Sequence, residues 1–158
     1  MHPDLALLID LQRITSAIDA ASKTLTAHPQ RLAAIDAGVA EARAAVERAK
    51  ATLDGEMAER RSAEKDLAVV AGRLEKYKDQ LMAVKTNREY HAMQSEMASA
   101  QESVQKFEER ILELMLQADE ATAALKAAQA RLVETEAQAI ADRKAIEAEH
   151  ASLAADMT

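Results

Sequence analysis

The chain has 158 residues, of which 49% are hydrophobic but only 2% are aromatic, and its net charge is -7. With so few aromatic side chains it is poorly suited to a globular core, whereas its abundant alanine, leucine, glutamate and lysine favour helices. The absence of cysteine excludes disulfides, thiol catalysis and any cysteine zinc site. The negative charge argues against nonspecific nucleic-acid binding by the chain as a whole.

The first residues, MHPDLALLIDLQR, place Asp4 and Asp10 where a signal peptide would carry basic residues. No uninterrupted apolar run approaches the roughly 18 residues that a membrane span requires. We therefore expect a cytoplasmic protein without membrane contact. With only three glycines and two prolines, the chain has few turn signals, so we predict few and very long helices.

Heptad spacing runs through the first half of the chain. Every seventh residue from Leu11 forms one row, the Leu11 row, which is aliphatic except at Arg60. The Leu7 row lies four residues earlier in each heptad and is interrupted only by His28 and Glu56. The members of the two rows are Leu11, Ile18, Leu25, Leu32, Val39, Val46, Leu53, Arg60, Leu67, Leu74 and Leu81, and Leu7, Ile14, Ala21, His28, Ile35, Ala42, Ala49, Glu56, Ala63, Val70, Tyr77 and Val84. This period predicts a left-handed coiled coil.

The second half has its own pair of rows. The Tyr90 row stays mainly apolar as far as Leu153. The Met93 row is apolar to Ala128 and then becomes polar at Thr135, Asp142 and Glu149. We expect the seam to weaken there or to rotate toward Val133 and Ile140. The rows are Tyr90, Met97, Val104, Ile111, Ala118, Leu125, Leu132, Ala139, Ile146 and Leu153, and Met93, Ala100, Phe107, Leu114, Ala121, Ala128, Thr135, Asp142 and Glu149.

A helix-start signal lies between the two halves. Thr86 and Glu89 have capping-box spacing, in which the hydroxyl accepts from the Glu89 N–H and the carboxylate reaches back to the Thr86 N–H. We therefore predict an all-α fold: a long antiparallel two-helix coiled-coil hairpin forming one domain over residues 1–158. Its helices should span about 4–84 and about 88–157, its tip about 85–87, and it should kink near Pro29.

The two halves align if Leu81 faces Met93. Val46 then lies opposite Ala128, and Arg60 lies opposite Leu114 with Glu56 one turn away. Two interpretations of Glu56 and Arg60 remain open: a polar pair inside the seam that specifies the register, or solvent exposure where the seam widens.

No arrangement of residues indicates catalysis. A two-helix rod offers no desolvated cleft for paired carboxylates. The four histidines, His2, His28, His91 and His150, lack metal-ligand spacing. We predict no enzyme activity, no catalytic or cofactor-binding residue, and no metal site in this chain.

Two stretches together resemble a known bacterial family: LLIDLQRITSAID at 7–19 and VKTNREYHAMQSE at 84–96. The family joins an N-terminal coiled-coil hairpin to a C-terminal four-cysteine zinc ribbon. The resemblance implies an adaptor associated with flagellar or type III secretion assembly and with a sigma factor. This chain has no cysteine, so we expect the ribbon to be missing, either by truncation or because this is a ribbon-less member. Zinc is expected only if a ribbon exists in a longer protein.

The tip carries the residues that match the family motif. They are candidates for binding a partner or for capping the tip: Lys85, Thr86, Asn87, Arg88, Glu89 and Tyr90. Our functional prediction is a scaffold that docks proteins along the coiled coil and at this tip. Two alternatives stay open: a nucleic-acid-binding regulator acting through the mildly basic tip, and a structural spacer formed by a parallel dimer of one long helix.

The predicted register leaves the residues before Ser16 without a facing residue in the chain. They include a dense aliphatic cluster whose exposure is unfavourable in a soluble monomer. In longer family members a continuation of the second helix would cover it, and in this chain another copy should. The candidate self-association residues are Leu5, Leu7, Leu8, Leu11 and Ile14.

Overall fold

The computed structural model describes residues 3–156 as two long helices packed in an antiparallel hairpin. Helix α1 spans Pro3–Ala83 and helix α2 spans Asn87–Asp156. Because the chain folds back on itself, the predicted hairpin is confirmed, and the alternative of one long helix in a parallel dimer is wrong. Pro29 lies inside α1, and the helix continues without a break on both sides of it.

Burial along α1 follows the two heptad rows. From Ala21 onward every member of the Leu11 and Leu7 rows is buried or half-buried. Residues 5–20 are exposed throughout, including the row members Leu11, Ile14 and Ile18. The 3.5-residue period therefore places the seam correctly, and packing against α2 determines where it is covered.

Burial along α2 follows the same rule, even where the Met93 row turns polar. Thr135, Asp142 and Glu149 remain half-buried. Val133 and Ile140 are 68% and 55% exposed. The predicted rotation of the seam toward these two residues is therefore wrong. A rotation would require a shift in heptad phase, and the Tyr90 row keeps its phase to the end of the helix.

The chain divides into two compact units. The first comprises the described parts of residues 1–46 and 128–158, and its most buried side chains are those of His28, Ala139 and Ile146. The second comprises residues 47–127, where Leu114 is only 1% exposed and the same row also contains the buried alanines Ala100 and Ala121. Each unit thus has a narrow core made from one residue of each row per heptad, which is about two helical turns.

Ion pairs between the helices flank the seam in both units. In the first unit the Arg31–Glu149 atoms are 2.6 Å apart, the Arg43–Glu136 atoms are 2.7 Å apart, and Arg143 contacts Asp36. In the second unit Arg110 lies 2.9 Å from Glu59. All of these side chains are partly exposed, so each pair is worth at most about 1 kcal/mol. Their main value is as markers of the helix register.

These pairs agree with the predicted register. Glu136 lies five residues beyond the position predicted opposite Arg43. Arg110 lies five residues before the position predicted opposite Glu59. A displacement of five residues in either direction is expected for an ion pair that flanks a seam in this register, and its direction depends on the side of the seam. Both units therefore share the register in which Leu81 faces Met93.

Of the two interpretations of Glu56 and Arg60, the polar pair inside the seam is wrong. Arg60 donates from Nε to Glu64 Oε1 at 2.8 Å, and it does not pair with Glu56. Glu56 belongs to the Leu7 row and points into the seam, where its Oε2 is buried without a hydrogen-bond partner among residues 3–156. The Arg60 guanidinium extends to the partly exposed flank, and Glu64 lies there one turn further along. Neither helix, over its described length, has a segment long and apolar enough to cross a membrane.

Candidate functional site

The tip is built around Thr86. Its Oγ1 accepts a hydrogen bond from the Glu89 N–H at 3.3 Å, and its carbonyl oxygen accepts one from the Tyr90 N–H at 3.0 Å. Thr86 therefore acts as the N-cap of α2, satisfying a backbone donor that would otherwise lack a partner. The reciprocal bond of a capping box, from the Thr86 N–H to the Glu89 carboxylate, is not formed.

Side chains at the tip project into solvent. All six residues of the family motif are exposed, and Met82 just before them is 90% exposed. The Tyr90 hydroxyl accepts a hydrogen bond from Gln94 at 3.1 Å, and the ring packs edge-on against His91. This bond and contact hold the Tyr90 ring beside the turn. The tip thus combines a positioned aromatic ring with a flexible thioether.

The cations near the tip differ in whether they form an ion pair within the chain. Lys78 is bound to Glu75 within α1 at 2.6 Å. Lys85 and Arg88 have no ion-pair partner in the part of the chain that the structure describes. An unpaired cation keeps its full capacity to bind a carboxylate or phosphate from outside. Lys85 and Arg88 are therefore the tip residues best placed to contact an anionic group.

The N-terminal apolar segment, Leu5, Leu7, Leu8, Leu11 and Ile14, lies in the first unit on the part of α1 that α2 does not cover. Its side chains are between 53% and 68% exposed. Ile9 and Ile18, at 49% and 47%, extend the same surface. The structure thus places the five candidate residues together on one exposed helical stretch.

His28 is the most buried polar residue in the described chain, at 3% exposure. Neither ring nitrogen has a hydrogen-bond partner among those residues, although Nε2 lies 3.6 Å from Glu149 Oε2. The His150 ring packs against it with centroids 5.4 Å apart. A hydrogen bond from Arg31 lowers the pKa of Glu149 below its usual value. Its place in the Leu7 row was the sequence signal that His28 faces the seam.

Metal ligation has no support from the arrangement of side chains. No group of three or more histidine, aspartate or glutamate residues within residues 3–156 is placed to hold a metal ion. The tip and the N-terminal apolar segment are the exposed surfaces that hold the candidate binding residues.

Two antiparallel helices, packed through continuous heptad rows and joined by a capped turn, define a coiled-coil hairpin protein. The family model described as "CT398-like coiled coil hairpin domain" matches residues 10–158, and the chain belongs to this family. Neither the curated proteins nor the solved structures gave a significant match. The family match concerns the hairpin, so the zinc ribbon and the roles implied by the resemblance stay predictions.

Proposed function

We propose that this chain is a non-enzymatic adaptor that docks protein partners, with the hairpin tip as its main docking site. The observation that carries the proposal is the exposed tip, where Lys85 and Arg88 lack ion-pair partners among residues 3–156 and lie close in sequence to the exposed Met82 and Tyr90. Cations beside apolar and aromatic groups suit a protein segment that combines acidic and hydrophobic residues.

The partner chemistry follows from the same residues. Arginine and aromatic residues are enriched at the energetically dominant positions of interfaces, and methionine adapts to different partner shapes. The resemblance to adaptors of flagellar and type III secretion assembly makes a component of such an assembly the first class of partner to test.

The test compares two charge-reversal variants. Lys85→Glu with Arg88→Glu removes the tip cations, and Arg73→Glu with Lys76→Glu is the matched control on α1. Proteins captured from the source cells by the native chain should be lost with the tip variant and retained with the control, while both variants keep native helicity by circular dichroism. Equal capture by the native chain and the tip variant would contradict docking at the tip.

A nucleic-acid-binding regulator is the second candidate, because the same unpaired cations could contact phosphates. Binding to mixed-sequence RNA or DNA should then weaken steeply with salt and be lost in the tip variant. The net charge of -7 weighs against this candidate. Titration of labelled duplex and single-stranded oligonucleotides at several salt concentrations separates it from protein docking.

A further inference from the structure

Three exposed apolar side chains lie together on α2 within the second unit. Leu112, Met115 and Leu116 are 61%, 41% and 66% exposed, and none of them belongs to the Tyr90 row or the Met93 row. Residues three and four positions apart are neighbours on a helix surface, so the three side chains form one patch. Packing against α1 gives no reason for their apolar character. We call these three residues the outer apolar patch.

Carboxylates lie at both ends of the outer apolar patch. Two of them precede Leu112 by three and four residues, and two follow Leu116 by the same spacing, so all four are neighbours of the patch on the helix surface. These four exposed residues are Glu108, Glu109, Asp119 and Glu120. Glu108, Asp119 and Glu120 form no ion pair among residues 3–156. Their charges are therefore available to a cation from outside the chain.

Arg110 is the one cation of α2 between residues 107 and 120, and it is already paired. Its guanidinium lies 2.9 Å from Glu59 and 3.3 Å from Glu113. It therefore does not neutralise the carboxylates at the ends of the outer apolar patch. Apolar side chains and negative charge are thus combined on one exposed surface of α2.

A second exposed apolar pair on α2 has different surroundings. Val133 and Ile140, in the first unit, are 68% and 55% exposed. Three residues after each of them lies a charged residue, Glu136 and Arg143, and each forms an ion pair with a residue of α1. The charges beside this pair are therefore neutralised within the chain. Similar apolar exposure occurs at both places, and the unpaired carboxylates distinguish the outer apolar patch.

We propose that the outer apolar patch is a docking site for a basic amphipathic helix of a partner protein. The apolar face of that helix would cover the three side chains, and its lysines or arginines would pair with the carboxylates at the two ends. An exposed apolar patch bordered by polar residues is typical of a protein-interaction surface, and methionine adapts to the shape of its partner. The negative charge repels phosphates, which disfavours nucleic acids and anionic membranes as occupants. The site is separate from the tip, where cations favour an acidic partner.

Binding of a labelled helical peptide tests the apolar part of the site. The probe is a peptide of leucine and lysine that carries all its leucines on one face, and fluorescence anisotropy measures its affinity for the full chain. Leu112→Gln with Leu116→Gln should weaken binding at least about tenfold, because it removes the apolar contact of two leucines. The matched control, Val133→Gln with Ile140→Gln, changes a similarly exposed pair and should bind the peptide as the native chain does.

Removal of charge tests the other part of the site. Glu108→Gln with Glu120→Gln should weaken binding about three- to tenfold at low salt and should make the affinity less dependent on salt. Glu134→Gln with Glu147→Gln removes the same charge from other exposed positions of α2 and should have little effect. A peptide in which glutamate replaces every lysine of the probe should not bind.

Three results would contradict the proposal. The first is a native chain that does not bind the probe. The second is equal affinity of the native chain and the double leucine variant, which would show only general attraction to an acidic protein. The third is self-association in sedimentation that is lost both in the double leucine variant and in Lys85→Gln with Arg88→Gln, because the occupant would then be the basic tip of a second copy. All altered side chains are exposed, so every variant should keep the native thermal unfolding measured by circular dichroism.

Discussion

The two parts of the Met93 row differ in chemistry but not in placement. Up to Ala121 the row is apolar, with Leu114 buried, and beyond Ala128 it presents Thr135, Asp142 and Glu149. All members are nevertheless buried or half-buried, while Val133 and Ile140 remain exposed beside the polar part. The phase of the heptad array therefore determines which side chains face the seam, and local hydrophobicity does not redirect it.

The largest expected effect lies in the apolar part of the row. Leu114→Ala should reduce the free energy of unfolding by about 2 to 5 kcal/mol, because it removes a fully buried side chain and leaves a cavity. Leu112→Ala is the control, since Leu112 is 61% exposed on the same helix and has little contact to lose. Urea denaturation followed by circular dichroism measures both. Similar losses for the two variants would mean that phase does not control packing.

A change of opposite sign is expected in the first unit, where α1 contains Pro29. Proline in a helix interior lacks the N–H and clashes with the preceding turn, which costs about 3 kcal/mol relative to alanine. Pro29→Ala should therefore stabilise the chain by up to about 3 kcal/mol. Pro3→Ala should change stability little, because α1 begins at Pro3 and proline is tolerated in the first turn. Thermal unfolding that shows no gain for Pro29→Ala would contradict this explanation.

The placement of the polar part of the Met93 row can be tested by making a seam residue apolar and a nearby exposed residue polar. Asp142→Leu should stabilise the chain by about 1 kcal/mol, because a half-buried seam position gains apolar contact. Ile140→Asp should lower the free energy of unfolding much less than an aspartate introduced at a seam position. The reason is that the Ile140 side chain already faces solvent. Chemical denaturation of the two variants would give the reverse order if the seam had rotated toward Ile140.

The smallest effect concerns pH. The hydrogen bond from Arg31 holds the pKa of Glu149 below its usual value of 4.5, so the ionised carboxylate favours the folded chain. This contribution is fully present above pH 4.5 and is lost as the pH falls through the lowered pKa. The stability difference between the native chain and Glu149→Gln should therefore shrink on acidification below that pH. The same substitution at exposed Glu147 is the control, and a difference that grew would contradict the sign.

Sequence periodicity predicted the fold because one repeated spacing specifies both the helix and its buried face. The row members from Ala21 to Val84 needed no structural information, and Thr86 was identified from turn chemistry alone. The partner of Arg60 could not be predicted in the same way. Glu56 and Glu64 are equally distant from it along the helix, and the choice depends on which carboxylate shares its exposed flank.

The burial of His28 and the ion pairs between the helices could be predicted only in part. His28 belongs to a seam row, but a histidine there interrupts the apolar pattern and does not by itself indicate burial. Arg43 and Glu136 become neighbours only after the register is known, and pattern alone leaves several registers possible. The candidate docking residues could be named from the sequence, but which of their cations lack an ion-pair partner depends on side-chain positions that no sequence pattern specifies.

Cross-linking at two seam positions tests the antiparallel register most directly. Val46→Cys with Ala128→Cys places the two thiols opposite each other in the first unit, and Val46→Cys with Thr135→Cys separates them by one heptad, about 10 Å along the helix. After mild oxidation of isotope-mixed samples, mass spectrometry should find an efficient disulfide within one chain for the first pair and little for the second. Preferential cross-linking between chains, or equal yields for the two pairs, would contradict the hairpin register.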